Sequence, residues 1–234
     1  MNLAVIPARG GSKRIPRKNI KLFAGKPIIA YSIESARACG LFDRVIVSTD
    51  DEEIATVARQ YGADVPYMRP AHLADDRTGT ADVVKHALRW CQAQSEPFDL
   101  VCCLYATAPF IRVQDLRRAE VMLRTSAHGY AFSVTRFPFA IQRALRINAN
   151  REIEAIHPEH MFTRSQDLEE AFHDAGQFYW GRAQAFLDDV PLFSHASLAV
   201  ELPQHQVQDI DTPADWLRAE LMFRAWQTGI GSAA

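Results

Sequence analysis

Short apolar runs rich in β-branched residues alternate with helical patterns along roughly the first 135 residues, and this alternation constrains the fold more than any other feature. Apolar runs at 3–6 and 45–48 are each followed by a helical pattern, at 28–38 and at 52–61. Such strand–helix–strand units run their strands in parallel and pack the helices against the sheet. The chain is therefore predicted to be an α/β protein with a Rossmann-like, mostly parallel sheet flanked by helices.

The same alternation continues and is interrupted once. Further strands are predicted at 64–68, 100–104 and 130–134, and helices at 80–91 and 113–124. A segment at about 138–172 shows neither the helical nor the strand pattern and is predicted to lie outside the sheet. Strands predicted at 177–180 and 198–202 then rejoin the sheet. No repeat or low-complexity linker divides the chain, so residues 1–234 are predicted to form a single domain with this excursion.

Two helix starts carry capping signals. Asp50 is predicted to cap the helix at 52–61, with Glu53 completing the capping box. In the final helix Thr212 is the predicted N-cap, followed by Pro213 at the first position and Asp215 at the third.

The composition limits the classes of partner. A formal net charge of −2 provides no general attraction for nucleic acid or an anionic membrane, so an anion site has to be local. The four cysteines form no CxxC pair and are predicted to be reduced core thiols. No stretch has the length of a membrane span and no leader pattern is present, so a cytoplasmic protein is expected.

A strongly basic segment with two adjacent glycines follows the first predicted strand. It has the sequence PARGGSKRIPRKN at positions 7–19. Ligands of open α/β sheets bind at the carboxyl ends of strands, and glycines let backbone N–H groups approach phosphate oxygens. The segment is therefore predicted to bind a triphosphate; the alternatives are a solvated basic loop or a glycine turn without function. It matches neither a Walker A sequence nor GxGxxG.

Two carboxylates near the final helix form the second chemical signal. Asp209 and Asp211 flank Ile210, and extended spacing projects both to one side, as a hard divalent cation requires. The alternative is that Asp211 helps to cap the final helix while Asp209 is solvated. A basic loop and a carboxylate pair in one chain together favour phosphoryl-transfer chemistry.

These segments resemble the signature of the CMP-sialic acid synthetases, which are cytidylyltransferases for acidic nine-carbon sugars. VSTD at 47–50, MRPAHLA at 68–74 and DIDTP at 209–213 extend the resemblance over nearly the whole chain. It implies a nucleotide-diphospho-sugar transferase type of fold and attack of the sugar's anomeric hydroxyl on the α-phosphorus of CTP. It also implies Mg²⁺ as cofactor and a cytoplasmic homodimer whose excursion serves dimerisation, without nucleic-acid or membrane partners.

The resemblance assigns roles to individual positions. Catalytic roles fall on Arg9, Lys13, Lys18 and Asp211, and the metal on Asp209 and Asp211. Nucleotide-binding positions are Arg9, Gly10, Gly11, Ser12, Lys13, Lys18, Asn19 and Arg69. Sugar-binding positions are Tyr105, Thr107, Arg164, Gln177 and Tyr179. Arg164 suits the sugar carboxylate but could be a surface arginine beside acids, and Gln177 and Tyr179 could equally be core residues.

The sugar is predicted from a departure within that family. Tyr105 begins YATAP at 105–109, where sialic acid synthetases usually carry QPTSP. With RSQDLEE at 164–170 and DAGQFYWG at 174–181, this run resembles the pseudaminic acid cytidylyltransferases, which implies a deoxygenated, diacetamido sugar used in flagellin glycosylation. The same reaction on N-acetylneuraminic or legionaminic acid stays open, as does a noncatalytic nucleotide-binding module.

Overall fold

The structure is a computed structural model that describes residues 1–75 and 77–228. Its strands are β1 (Asn2–Pro7), β2 (Leu22–Phe23), β3 (Lys26–Pro27), β4 (Arg44–Ser48), β5 (Leu100–Leu104), β6 (Tyr130–Arg136), β7 (Leu145–Ile147), β8 (Ile153–Ala155), β9 (Phe172–Arg182) and β10 (Ser197–Glu201). Its α-helices are α1 (Ile28–Ala38), α2 (Glu52–Gln60), α3 (Thr80–Ala93), α4 (Val113–Arg124), α5 (Ala183–Leu187) and α6 (Pro213–Gln227).

Six strands form the main sheet in the order β10-β6-β9-β5-β1-β4. β1 pairs in parallel with β4 and β5, and β6 pairs in parallel with β10. β9 runs antiparallel to both of its neighbours, β5 and β6. The predicted mostly parallel sheet is confirmed, and the reversed β9 brings its amino-terminal end to the edge where the other strands have their carboxyl ends.

Helices cover both faces of this sheet. Ala4 and Ile6 of β1 pack in a cluster with residues of α1, α2 and α4, whereas Leu3 and Val5 pack with residues of α3 and α5. Because both faces are covered, β1 is apolar from Leu3 to Ile6 and does not alternate with polar residues there. A third cluster packs α6 against Phe23 and neighbouring residues that follow the basic loop.

The strand predicted at 64–68 does not form a continuous ladder with its neighbour. Residues 64–68 form only isolated bridges, from Asp64 to Ile46 and from Met68 to Thr49. Pro66 lies between them and has no N–H to donate, so a continuous ladder cannot form there.

The helix caps are partly as predicted. Thr212 and Asp215 form the predicted capping box of α6. The prediction of Asp50 as the cap of α2 is wrong, because the carboxylate of Asp51 accepts from the N–H groups of Glu53 and Ile54. Asp50 instead turns towards the basic loop and accepts from the N–H of Gly10 at 2.9 Å.

The excursion at 138–172 lies outside the main sheet until β9 begins. It contains the β7–β8 hairpin and three short 3₁₀ turns, at Ile141–Arg143, Pro158–His160 and Ser165–Asp167. Its exposed apolar side chains are Phe139, Ile141, Leu145, Ile147, Ile153, Ile156 and Phe162. No helix in the described part of the chain is long and apolar enough to cross a membrane.

Candidate active site

A cleft of about 590 Å³ opens at the carboxyl edge of the sheet. The basic loop after β1 forms one wall, and the residues that follow β5 form another. Predicted site residues that line it are Arg9, Ser12, Lys13, Lys18, Asn19, Arg69, Tyr105, Thr107 and Asp211. The fold therefore gathers predicted site residues from four separate parts of the sequence around one cavity.

Side-chain hydrogen bonds fix the shape of the basic loop. Asn19 Nδ2 donates to the carbonyl of Arg9 at 2.9 Å, which ties the two ends of the loop together. Lys18 Nζ donates to the carbonyl of Ile210 at 2.7 Å. Arg17 has a left-handed backbone conformation with φ 54°, and its guanidinium binds the carboxylates of Asp51 and Glu53.

The contact between Arg17 and Asp51 ties the loop to the start of α2. The hydrogen bond from Arg17 lowers the pKa of Asp51 to about 2, and the same bond raises the pKa of Arg17. Asp51 also caps α2, so one carboxylate stabilises both the helix and the loop.

The two adjacent glycines of the basic loop differ in their surroundings. A Cβ at Gly10 would lie 2.7 Å from Asp51 Oδ2 and 3.0 Å from Asp51 Cβ, whereas at Gly11 nothing lies within 4 Å. Neither glycine is among the residues that line the cleft, and the N–H of Gly10 is bonded to Asp50. The absence of a side chain at Gly10 therefore allows the loop to pack closely against Asp51.

Arg69 lies buried at the floor of the cleft. Its guanidinium donates to the carbonyl and the hydroxyl of Ser48 and to the carbonyl of Leu73. Burial lowers the pKa of Arg69. These bonds hold a buried cation in one orientation in the wall of the cleft.

The acidic pair lies beside the basic loop, which Asp211 contacts directly. Ile210 is fully buried, whereas Asp209 is exposed and Asp211 is half-buried. Asp211 lines the cleft and accepts from Arg14 at 2.8 Å and from Lys18 at 3.4 Å. Asp209 is outside the lining and largely exposed; local desolvation of its carboxylate, and then the charge of Asp211, raise its pKa.

No group of three or more His, Cys, Asp or Glu residues that could hold a metal ion occurs in the part of the chain that the structure describes. Protein Mg²⁺ sites commonly use one or two carboxylates and take their remaining ligands from water and substrate phosphates. Asp209 and Asp211 fit such a site, because repulsion between their charges would be relieved by a divalent cation.

A second cavity of about 410 Å³ adjoins the cleft and shares Thr80 and Tyr105 with it. Its wall is largely apolar and aromatic, formed by Tyr130, Tyr179, Phe186, Val190, Pro191, Leu192 and Phe193. Its acidic lining residues are Asp174 and Asp189, and no Lys, Arg or His lines it among the described residues. An uncharged group with apolar parts suits this cavity better than an anion.

The hydroxyl groups of Thr80, Tyr105 and Tyr179 belong to residues that line the second cavity. The hydroxyl of Tyr179 donates to Asp174 Oδ2 at 2.7 Å, and the Tyr105 hydroxyl lies 3.5 Å from Thr80 Oγ1. The Tyr105 and Tyr179 ring centroids are 5.1 Å apart. Burial is the main cause of the raised pKa of both tyrosines, so both keep their protons at neutral pH.

The structure does not bring two of the predicted sugar-binding residues to either cavity. Gln177 is buried in β9, where its Nε2 donates to the carbonyl of Gln206 at 2.5 Å. Arg164 lies in the excursion with 74% of its side chain exposed and pairs with Asp167 at 2.9 Å. Thr80, Asp174 and the segment 190–193 also line the second cavity, although no sequence motif predicted them. For Asp174 the reason is the irregular pairing of β9, which has no clear sequence signal.

Comparison with known proteins identifies the family of this chain. The chain is 45% identical to the pseudaminic acid cytidylyltransferase of Campylobacter jejuni subsp. jejuni serotype O:2 over 223 residues, which cover 95% of this chain and 96% of that protein. It is 32% identical to the CMP-N,N'-diacetyllegionaminic acid synthase of Legionella pneumophila subsp. pneumophila, over 97% of this chain and 98% of that protein.

A solved structure supports the fold. A CMP:2-keto-3-deoxy-manno-octonic acid synthetase, solved in complex with CTP, superposes with a TM-score of 0.70 at 18% identity, covering 96% of this chain and 99% of that chain. A family model described as cytidylyltransferase matches residues 3–206. The chain therefore belongs to the cytidylyltransferase family and is a nucleotidyltransferase.

Proposed function

We propose that the enzyme transfers CMP from CTP to pseudaminic acid and releases pyrophosphate. The observation that carries this proposal is the meeting of a cation-lined cleft with a largely apolar cavity at Tyr105 and Thr80. A nucleoside triphosphate matches the first cavity, and the substituents of a deoxygenated, acetamido sugar match the second. The relative with 45% identity over nearly the full length of both chains carries the same activity in its name.

The nucleotide half of the reaction depends on positive charge held in fixed positions. Arg9, Lys13 and Lys18 face the cleft from the basic loop, and Arg69 lies at its floor. In the transition state negative charge grows on the phosphate oxygens, and pre-positioned cations stabilise it without reorganisation. Most of the rate enhancement is then orientation and charge stabilisation, and no dedicated base is assigned.

Magnesium belongs to the same proposal. Asp209 and Asp211 would hold the ion together with phosphate oxygens, and the bound ion would offset the negative charge of the triphosphate. Arg14 and Lys18 bind Asp211, so triphosphate oxygens at the basic loop would compete with this carboxylate for both cations.

The sugar carboxylate requires a cation that the second cavity does not offer among its described lining residues. We assign the binding of the sugar carboxylate to Arg164. In this arrangement the enzyme is a homodimer, and the excursion of one subunit brings Arg164 to the site of the other. The apolar side chains that the excursion exposes form the kind of surface that a second copy would cover. A cytoplasmic location follows from the use of free CTP.

The test is pyrophosphate release with CTP and Mg²⁺ from pseudaminate, N-acetylneuraminate, legionaminate and 3-deoxy-octulosonate. We expect the highest kcat/KM with pseudaminate and loss of activity when Mg²⁺ is omitted. A higher kcat/KM with another of these sugars would overturn the substrate, and no release from any would overturn the reaction.

Asp211→Asn tests the acidic side of the site. We expect it to lower kcat by about 100-fold or more, because the charge that balances the metal is lost, while the circular dichroism spectrum is unchanged. Asp188→Asn is the matched control, since Asp188 is exposed and lines neither cavity. Near-normal turnover by Asp211→Asn would remove this carboxylate from the metal site.

A further inference from the structure

An irregular pairing in β9 brings Asp174 to the second cavity. Phe132 of β6 lies opposite Tyr179, and Val134 lies opposite Asp174. Two steps along β6 (134 − 132) therefore correspond to five along β9 (179 − 174), so β9 holds three extra residues here. An odd number of extra residues reverses the alternation of side chains, and Asp174 thus shares a face with Tyr179.

Gly176 lies within this irregular segment. Its φ of +62° is a left-handed conformation that glycine adopts without a steric penalty. The bend also lets the N–H of Gly176 donate to Asp174 Oδ1 at 2.9 Å. The carboxylate is therefore held at the cavity wall by its own strand.

Asp174 keeps capacity for a ligand. Its carboxylate accepts from the Gly176 N–H and from the Tyr179 hydroxyl, which uses one position on each oxygen. An ionised carboxylate offers about four acceptor positions, so further donors can bind. The other carboxylate of this cavity, Asp189, is 70% exposed and paired with Lys85, which makes it a poorer recognition group.

The surroundings of Asp174 define the donor that it would recognise. No cation lines the cavity among the described residues, and an apolar wall that includes Leu192 and Phe193 completes it. An acylamino group matches this combination, because its N–H needs an acceptor and its methyl group needs an apolar contact. The hydroxyls of Thr80 and Tyr105 are available on the same cavity for its carbonyl oxygen.

We propose that Asp174 is a specificity-determining residue that accepts a hydrogen bond from the N–H of an acylamino substituent of the sugar. This inference rests on the proposed function, because it assigns one contact within the proposed sugar site. It predicts that the enzyme distinguishes an amide from an ester of the same shape at one position of the sugar.

The experiment compares pseudaminate with two analogues in which each acetamido group in turn is replaced by an acetoxy group. The ester keeps the carbonyl and the methyl group but has no N–H. We expect the wild-type enzyme to lose about tenfold or more in kcat/KM with one of the two analogues, as expected for loss of a hydrogen bond to a charged acceptor. The KM for CTP should stay within about twofold.

Asp174→Ala should lower kcat/KM for pseudaminate and remove most of the amide-over-ester preference, because it removes both acceptor oxygens and so deletes the contact that the ester analogue also lacks. Tyr179→Phe is the second variant, because it removes the donor to Asp174 Oδ2 and leaves the carboxylate in place. Tyr179→Phe should keep the amide-over-ester preference. Asp188→Ala is the matched control and should behave as the wild type.

The outcomes separate the two proposals. If the wild type releases no pyrophosphate from pseudaminate, the proposed function fails. If it turns over pseudaminate but Asp174→Ala keeps the full amide-over-ester preference, Asp174 is not the acceptor. If Tyr179→Phe loses the preference and Asp174→Ala keeps part of it, the tyrosine hydroxyl is the contact and the inference is wrong.

Discussion

At the scale of single residues, Gly10 and Gly11 have different structural constraints although they are neighbours. We expect Gly10→Ala to lower the free energy of unfolding by about 1–3 kcal/mol, because its Cβ would press on Asp51, a short side chain that Arg17 and α2 already hold. Gly11→Ala is the matched control, because the space around its Cβ is open. It should change the free energy of unfolding by less than about 0.5 kcal/mol. Urea denaturation measures both, and equal losses would contradict this explanation.

Tyr105 is the residue at which the two cavities meet, so its substitution should alter the choice of sugar. Tyr105→Gln introduces the amide that sialic acid synthetases usually carry and removes an aromatic wall beside Tyr179. We expect the ratio of kcat/KM for pseudaminate to that for N-acetylneuraminate to fall by about tenfold. Tyr105→Phe keeps the ring and should preserve most of the ratio. An unchanged ratio in Tyr105→Gln would show that the sugar is selected elsewhere.

At the scale of elements, the contact between the basic loop and the start of α2 makes a pH-dependent contribution to stability. The pKa of Asp51 is lowered to about 2 by Arg17, so the contribution is present above the ordinary aspartate value near 4. It is lost as the pH falls through about 2 and the carboxylate becomes protonated.

Arg17→Gln tests this contact. At pH 7 the variant should be less stable than the wild type by about 1 kcal/mol, a small value because the ion pair is partly exposed. The difference should shrink as the pH is lowered from 4 towards 2. Urea unfolding at several pH values measures it, and a difference independent of pH would mean that Arg17 acts by packing alone.

At the scale of the whole molecule, the excursion exposes apolar side chains that a monomer would leave in water. We expect sedimentation equilibrium to give the mass of a dimer. Ile147→Glu, at a residue 73% exposed on β7, should shift the equilibrium towards monomer and lower activity if Arg164 acts across the interface. Leu217→Glu is the control, because Leu217 is 59% exposed on α6, outside the excursion. A monomeric wild-type enzyme with full activity would rule out this arrangement.

The sequence by itself determined the features that depend on local periodicity. Alternating strand and helix patterns predicted the parallel sheet, and most helix and strand bounds agree within a few residues because 3.6- and 2-residue periods are local properties. The capping box at Thr212 was predictable for the same reason. Motif resemblance predicted the family, and it placed the basic loop and Asp211 in one cleft.

Only the tertiary structure decided what depends on neighbours distant in sequence. The strict requirement for Gly10 comes from Asp51, some forty positions away. Gln177 is directed to Gln206, and Asp174 enters the second cavity because the pairing of β6 with β9 is irregular. The hydrophobic period and the composition of a segment indicate which face of an element is buried. The partner of a side chain, a register shift between strands and a cavity exist only once separate elements have packed together.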